Sequence, residues 1–186
     1  MIKVFAALVG SLLFSSLSSG GQHQFRMSLD DRFVVADSEK WSVAVERQLS
    51  LRFADVKITP KQGHGFSLML YFKCDTPDLA EFDTPEKMKE AVRSSSEKYL
   101  SGTVEKAVEL KELNAKGWYG FYTTLTDKEV AEKKKIPDGE FKYLMRGMIR
   151  LTPDSALGFS LMTNELGTPE YKELMSFILG FAKQKE

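Results

Sequence analysis

The stretch that decides the fold is Phe66-Ser67-Leu68-Met69-Leu70-Tyr71-Phe72-Lys73. Successive side chains of a β-strand point to opposite faces of a sheet. Large apolar residues occupy both sets of positions: Phe66, Leu68, Leu70 and Phe72 on one face, and Met69 and Tyr71 on the other. A strand that is apolar on both sides needs cover above and below, so we predict an interior strand of a sheet packed on each face.

Further strands are predicted on both sides of this stretch. Before it, residues 33–35 and 41–45 form two short strands around a turn at Asp37-Ser38, and 50–59 forms a third. After it, residues 117–125 have strand composition, 141–151 alternate clearly, and a last strand begins at Leu157. Residues 108–113 fit a helix or a strand equally well.

Two helices have matching start signals, Thr84-Pro85-Glu86 and Thr168-Pro169-Glu170. Each supplies a hydroxyl N-cap, a proline at the first helical position and an acid in the first turn. Apolar residues then recur at helical spacing, which predicts one-faced amphipathic helices lying on the sheet. The fold class predicted is therefore α+β, a largely antiparallel sheet covered by two main helices.

The first residues have the pattern of a secretory signal. Lys3 precedes an apolar run over 4–17, and the small residues Ser18, Ser19, Gly20 and Gly21 follow it. The run is shorter than the ~20 residues of a bilayer-spanning helix. We predict a signal peptide over 1–21, a loose segment over 22–31 and one domain over 32–186. The protein is expected to be exported to the periplasm or the extracellular space, without stable membrane insertion after cleavage.

Charge and cysteine content exclude some classes of protein. The chain has 26 basic and 26 acidic residues, which argues against a nucleic-acid partner. Cys74 is its only cysteine, so no intramolecular disulfide can form. The acidic residues that follow Cys74 would raise the pKa of its thiol, which favours a buried apolar role over a reactive one.

Candidate metal and catalytic residues are few. His64 lies in a glycine-flanked turn, and a histidine metal site generally needs converging ligands. The acidic stretch Asp75, Asp78, Glu81 and Asp83 lacks the spacing of a calcium loop and suits a solvated approach to a helix N-terminus. No nucleophile elbow or phosphate-binding loop is present in the sequence. We therefore predict no cofactor and no metal.

Basic residues offer a partner surface. Lys142, Arg146 and Arg150 recur every four residues on one face of the 141–151 strand, too far apart to hold one small anion. An extended anionic partner would fit such a row, whereas acidic neighbours or solvent are the structural alternative. Lys133, Lys134 and Lys135 lie in a long excursion over 127–140. We interpret that excursion as a mobile tip, so deletion of 128–138 should leave the thermal unfolding transition intact.

The sequence also resembles a known family. The order of elements, with Gly117-Trp118-Tyr119-Gly120-Phe121-Tyr122 after the first helix, resembles the PsbP-like superfamily. The most similar stretch runs from Leu151-Thr152-Pro153-Asp154 through Phe159 to Thr168-Pro169-Glu170-Tyr171. That superfamily includes an extrinsic protein of the photosynthetic oxygen-evolving complex and the exported DcrB-like lipoproteins. The resemblance implies an α/β/α sandwich used for binding or assembly. The lipid-modified cysteine of DcrB-like proteins has no counterpart here.

The sequence is compatible with two leading functions, and an enzyme, which would need an acid/base pair assembled from distant carboxylates, ranks third. The first is a non-enzymatic exported protein that binds a protein partner or an envelope component. The alternative is a carrier of a small molecule or lipid, with a pocket between helix and sheet lined by residues such as Met69, Tyr71, Met145 and Met148. A buried apolar cavity of several hundred cubic ångströms would favour the carrier, and a filled core with an exposed apolar or charged patch would favour the partner-binding protein.

Overall fold

Seven strands form one antiparallel sheet in the computed structural model, which describes residues 22–26, 32–36, 38–50, 53–74, 77–115 and 118–181. A separate pair of strands and two α-helices complete the described part of the chain. In order, the elements are β1 (Gln22–Arg26), β2 (Arg32–Ala36), β3 (Trp41–Ser50), β4 (Phe53–Pro60), β5 (Phe66–Cys74), α1 (Pro85–Glu97), β6 (Lys111–Ala115), β7 (Trp118–Thr126), β8 (Tyr143–Thr152), β9 (Ser155–Thr163) and α2 (Pro169–Gly180). Short 3-10 helices occupy Pro77–Phe82 and Leu100–Gly102.

The sheet consists of two meanders joined in the middle. Its strand order is β3-β4-β5-β9-β8-β7-β6, and every neighbouring pair is antiparallel. Consecutive strands pair within each half, while β5 pairs with β9 from Phe66↔Thr163 to Cys74↔Ser155. The predicted α+β class and antiparallel sheet are confirmed, as is the interior position of the strand that begins at Phe66.

The N-terminal part of the chain differs from the prediction. The segment 22–31 was expected to be loose, but residues 22–26 form β1, which pairs with β2. β2 therefore does not form a hairpin with β3, whose partner is β4. The ambiguous segment 108–113 contributes to β6, a strand at the edge of the sheet. The predicted signal peptide, 1–21, lies outside the described residues.

Both helices begin where their capping signals predict. The Oγ1 of Thr84 accepts a hydrogen bond from the N–H of Lys87 at 3.2 Å, and the Oγ1 of Thr168 accepts one from Tyr171 at 3.2 Å. A proline follows each cap, where its missing N–H removes no helical hydrogen bond. Neither of these two described helices is long and apolar enough to cross a membrane.

Apolar side chains form two buried clusters. The larger cluster contains the alternate residues of β5 from Phe66 to Phe72, and α2 contributes Leu174, Met175 and Ile178 to it. The smaller cluster contains Met88 and Val92 of α1 with the residues Leu79, Phe82, Phe121 and Ala156. Phe121 and Tyr122 are neighbours on β7, so they point to opposite faces and join different clusters. We call these the α2 face and the α1 face of the sheet.

The excursion between β7 and β8 is not the mobile tip that the sequence suggested. Val130 is 3% exposed, and the backbone N–H of Lys128 donates to the carbonyl of Gly102 at 3.1 Å. The Nζ of Lys128 also donates to the Ser101 carbonyl at 2.6 Å. These contacts hold the start of the excursion against residues 101–102. Deletion of 128–138 is therefore expected to lower the unfolding temperature, the reverse of the expectation from sequence.

Two glycines in the sheet provide a matched test of the packing. A Cβ added to Gly147 would lie 2.5 Å from the Phe159 ring and 2.7 Å from the carbonyl oxygen of Phe121. At Gly158 the nearest atom would be the Cβ of Tyr71 at 3.5 Å, an ordinary contact. We expect Gly147→Ala to lower the free energy of unfolding by about 2 kcal/mol through overpacking. Gly158→Ala should change it by less than about 1 kcal/mol. Urea denaturation of both variants measures the difference, and equal stabilities would contradict the described packing of Phe159.

Candidate functional site

A cavity of about 370 Å³ lies between α1 and the sheet. Its floor is formed by β5, β8 and β9, and its walls by α1 and the 77–82 helix. Two of its lining residues, Glu81 and Ser94, are exposed, so the cavity is accessible from solvent. The side chains that line it are Tyr71, Lys73, Glu81, Phe82, Ala91, Ser94, Ser95, Arg146, Met148 and Ala156, with the backbone of Gly158 in the floor.

Small residues create this cavity. On β9, Ala156, Gly158 and Ser160 alternate with the large residues Leu157 and Phe159. The large residues point to the α2 face, so the small ones lie toward α1. On α1, Ala91, Ser94 and Ser95 fall near them. The missing side-chain volume between helix and sheet leaves the cavity open.

Buried polar contacts hold the walls in place. The hydroxyl of Tyr119 donates to the carbonyl of Phe82 at 2.7 Å, and the Nη1 of Arg150 donates to the carbonyl of Leu79 at 3.0 Å. The Nη2 of Arg150 donates to the carbonyl of Pro153. Burial raises the pKa of Tyr119. The positive charge of Arg150 lowers this pKa, and the negative charges of Asp83 and Glu86 raise it. The direction of this pKa shift favours the protonated hydroxyl, the form that donates to the Phe82 carbonyl.

Two cations give the cavity a partly positive lining. The Nζ of Lys73 lies 5.5 Å from the ring centroid of Phe82 and 6.0 Å from that of Phe53. The guanidinium of Arg146 lies 5.0 Å from the ring centroid of Tyr99, and its Nη1 donates to the Tyr99 hydroxyl at 2.8 Å. A cation–π contact of this kind holds a charged group against the face of an aromatic ring. The cavity thus combines aromatic and aliphatic walls with two oriented positive charges and the carboxylate of Glu81.

Two other cavities are present in the described part of the chain. One of about 450 Å³ lies beside Tyr99, Leu125, Val130 and Tyr143, near the start of the 127–140 excursion. Another of about 580 Å³ lies at the start of α2, where Lys40 pairs with Glu173 at 2.6 Å. Neither is lined by residues of α1, although the first touches both the sheet and the 100–102 helix.

The predicted partner surface is only partly exposed. Arg150 is 7% exposed and bonded to two carbonyl groups, so its assignment to a docking surface is wrong. The 77–82 helix lies over it, and sequence alternation cannot reveal such a long-range contact. Arg146 is half-buried beside Tyr99, and Lys142 is half-buried. Lys133, Lys134 and Lys135 are exposed, and Lys133 forms an ion pair with Glu140 at 2.9 Å.

The other residues considered from the sequence, a cysteine, a histidine and an acidic stretch, differ in burial and contacts. Cys74 is 1% exposed within the larger cluster, which confirms its apolar role. His64 is exposed. Asp75 lies outside the described residues, and Asp83 pairs with Lys87 at 2.9 Å. Within the described ranges, no group of three histidine, cysteine or acidic residues is arranged to hold a metal ion.

Two of the four proposed pocket residues line the cavity. Tyr71 and Met148 do so, whereas Met145 is fully buried on the α2 face. Met69 is half-buried and is not among the lining residues. Gly158 in the floor was not predicted from the sequence, nor were Ser160 and Tyr99, which are neighbours of Arg146 outside the lining. A readable signal existed for the first two, because small residues alternate with large ones along β9.

A scan against protein-family models and a search of curated proteins both found no match to this chain.

The role of Arg150 can be tested by removing its guanidinium. Arg150→Met leaves the carbonyl groups of Leu79 and Pro153 without this donor, which should lower the free energy of unfolding by about 2 kcal/mol. Lys172→Met, at an exposed cation on α2, is the control and should stay within about 0.5 kcal/mol of the wild type. Urea denaturation measures both. Equal stability of the two variants would mean that Arg150 behaves as a surface residue after all.

Proposed function

We propose that this chain is an exported, non-catalytic protein that binds a small amphipathic molecule in the cavity between α1 and the sheet. In this proposal the leader 1–21 is removed, and the domain is an α/β/α sandwich of the PsbP-like kind. The alternative that the sequence offered thus becomes the leading function. The observation that carries it is the position and lining of the 370 Å³ cavity.

The size of the cavity supports a ligand of modest dimensions. Pockets that bind small molecules generally have volumes of about 300–1,000 Å³, are mostly apolar and contain a few oriented polar groups. This cavity has the same composition. Tyr71, Phe82 and Met148 provide apolar surface, and Lys73 and Arg146 provide charge. The volume matches the several hundred cubic ångströms expected for a carrier, while the cavity is open to solvent and partly polar rather than buried and apolar.

The partner-binding function has less structural support. It depended on a row of exposed basic side chains along β8, and Arg150 and Arg146 are both engaged in contacts within the fold. Lys134 and Lys135 are exposed and remain a predicted partner surface. A protein or envelope partner that binds these lysines stays a prediction of the sequence.

Filling the cavity tests the proposed function. The probe is N-phenylnaphthylamine, an uncharged molecule whose fluorescence rises in apolar surroundings. We expect the mature wild-type protein to bind one molecule of it. Ala91→Leu places a larger side chain in the cavity from a helical position that tolerates leucine. This variant should weaken binding by about tenfold or more, because the side chain takes the space of the probe.

The matched control is Glu97→Leu. This position is exposed on the same helix and lies outside the cavity lining. It adds the same side chain to α1, so it should bind the probe as the wild type does. Thermal unfolding checks that both variants remain folded. Absence of probe binding to the wild type, or equal binding by the two variants, would contradict the proposed function.

A further inference from the structure

Arg146 and Ser160 each have a buried polar atom without a hydrogen-bond partner. These are the Nε of Arg146 and the Oγ of Ser160, and no other buried side-chain nitrogen or oxygen in the described residues shares this condition. Ser160 is 6% exposed. An unsatisfied buried donor costs roughly 1–3 kcal/mol, so native proteins seldom keep one without a reason.

The two residues are direct neighbours across the sheet. Arg146 on β8 pairs with Ser160 on β9, so their side chains leave the same face and their Cβ atoms are separated by about 5 Å. That face is the one on which α1 lies. Arg146 lines the cavity, and Ser160 is its cross-strand neighbour just outside the lining. One acceptor atom between them would receive a hydrogen bond from the Nε–H of Arg146 and another from the hydroxyl of Ser160.

The charge of Arg146 favours an anionic acceptor. None of the ion pairs among the described residues includes Arg146. Its one hydrogen-bond partner is the neutral hydroxyl of Tyr99, bound through Nη1. That contact leaves the Nε side of the guanidinium for another ligand. The Nε and Nη2 edge of arginine matches the two oxygens of a carboxylate or a phosphate group.

We propose that the cavity selects ligands with an oxyanion head, and that Arg146 and Ser160 bind this head. The inference rests on the proposed function, since it concerns the same cavity. One oxygen of the head accepts from both Arg146 and Ser160, and a second accepts from the Nη2 of Arg146. The apolar part of the ligand then lies against Tyr71, Phe82 and Met148, which are neighbours of Arg146 in the lining.

Competition against the neutral probe tests this selectivity. Decanoate, decyl phosphate and decanol share one alkyl chain and differ in the head. Each is titrated against N-phenylnaphthylamine bound to the mature wild-type protein. We expect the better of the two anions to displace the probe at a concentration about tenfold or more below that of decanol, as charge-assisted hydrogen bonds would produce. The order of decanoate and decyl phosphate identifies the carboxylate or the phosphate as the preferred head.

Two substitutions test whether Arg146 and Ser160 produce the preference for anionic heads. Arg146→Met should abolish the preference for the anions while the uncharged probe still binds. Ser160→Ala removes a buried hydroxyl that has no partner, so its stability should remain near that of the wild type. It should nonetheless reduce the preference by about threefold to tenfold, the effect of one hydrogen bond to a charged group. Lys172→Met, an exposed cation on α2, is the control for loss of positive charge and should keep the full preference.

The outcomes of these experiments separate this inference from the proposed function. If decanol competes as well as both anions, or if Arg146→Met and Ser160→Ala retain the preference, the anion site is wrong. A buried water then satisfies the two donors, and the cavity still binds the probe. If the probe binds equally to Ala91→Leu and Glu97→Leu, the proposed function itself fails.

Discussion

The pairing of β5 with β9 is the constraint on which the rest of the structure depends. Each half of the sheet forms from strands that are consecutive in the chain, and this one long-range pairing joins the halves. β5 therefore lies in the interior, whereas β6, the next strand along the chain, lies at the far edge. The residues between β5 and β6 must therefore cross β9, β8 and β7. They place the 77–82 helix and α1 on the α1 face of the sheet.

This crossing determines the chemistry of the α1 face. The crossing segment lies over Arg150 and Tyr119, and both side chains donate hydrogen bonds to its carbonyl groups. Where it passes the small residues of β9, it leaves a cavity instead of a filled core. The α2 face contrasts with it, because large side chains such as Phe66, Phe72 and Phe159 fill the space and are at most 2% exposed. The two sides of one sheet thus differ, one filled by large side chains and the other containing a cavity.

Features with a local physical cause could be predicted from the sequence. The alternation in 66–73 identified an interior strand, and the Thr-Pro-Glu signals located both helix starts, because strand periodicity and capping depend on neighbouring residues. β1 could not be predicted, because its polar sequence shows no apolar alternation and its strand conformation depends on pairing with β2. The faces of Arg146 and Arg150 were assigned correctly from alternation. Their burial was not, because it depends on a segment about 50 to 70 residues away in the chain.

The candidate site was predicted less well than the fold. Its place between helix and sheet was foreseen, and so were Tyr71 and Met148. Methionine content suggested the lining, but methionines serve both cores and pockets, and Met145 belongs to the core. What forms the cavity is the small size of the residues at positions 156 and 158, Ala156 and Gly158. Glycine and alanine have no functional group, so a search of the sequence for chemically active residues does not select them.

The contact between Tyr99 and Arg146 also sets a boundary. Arg146 lines the cavity under α1, and Tyr99 lines the 450 Å³ cavity beside the 127–140 excursion. The ring of Tyr99 and the guanidinium of Arg146 therefore lie between the two cavities. A movement of the phenol ring away from Arg146 would break the hydrogen bond between them and change the lining of both cavities at once.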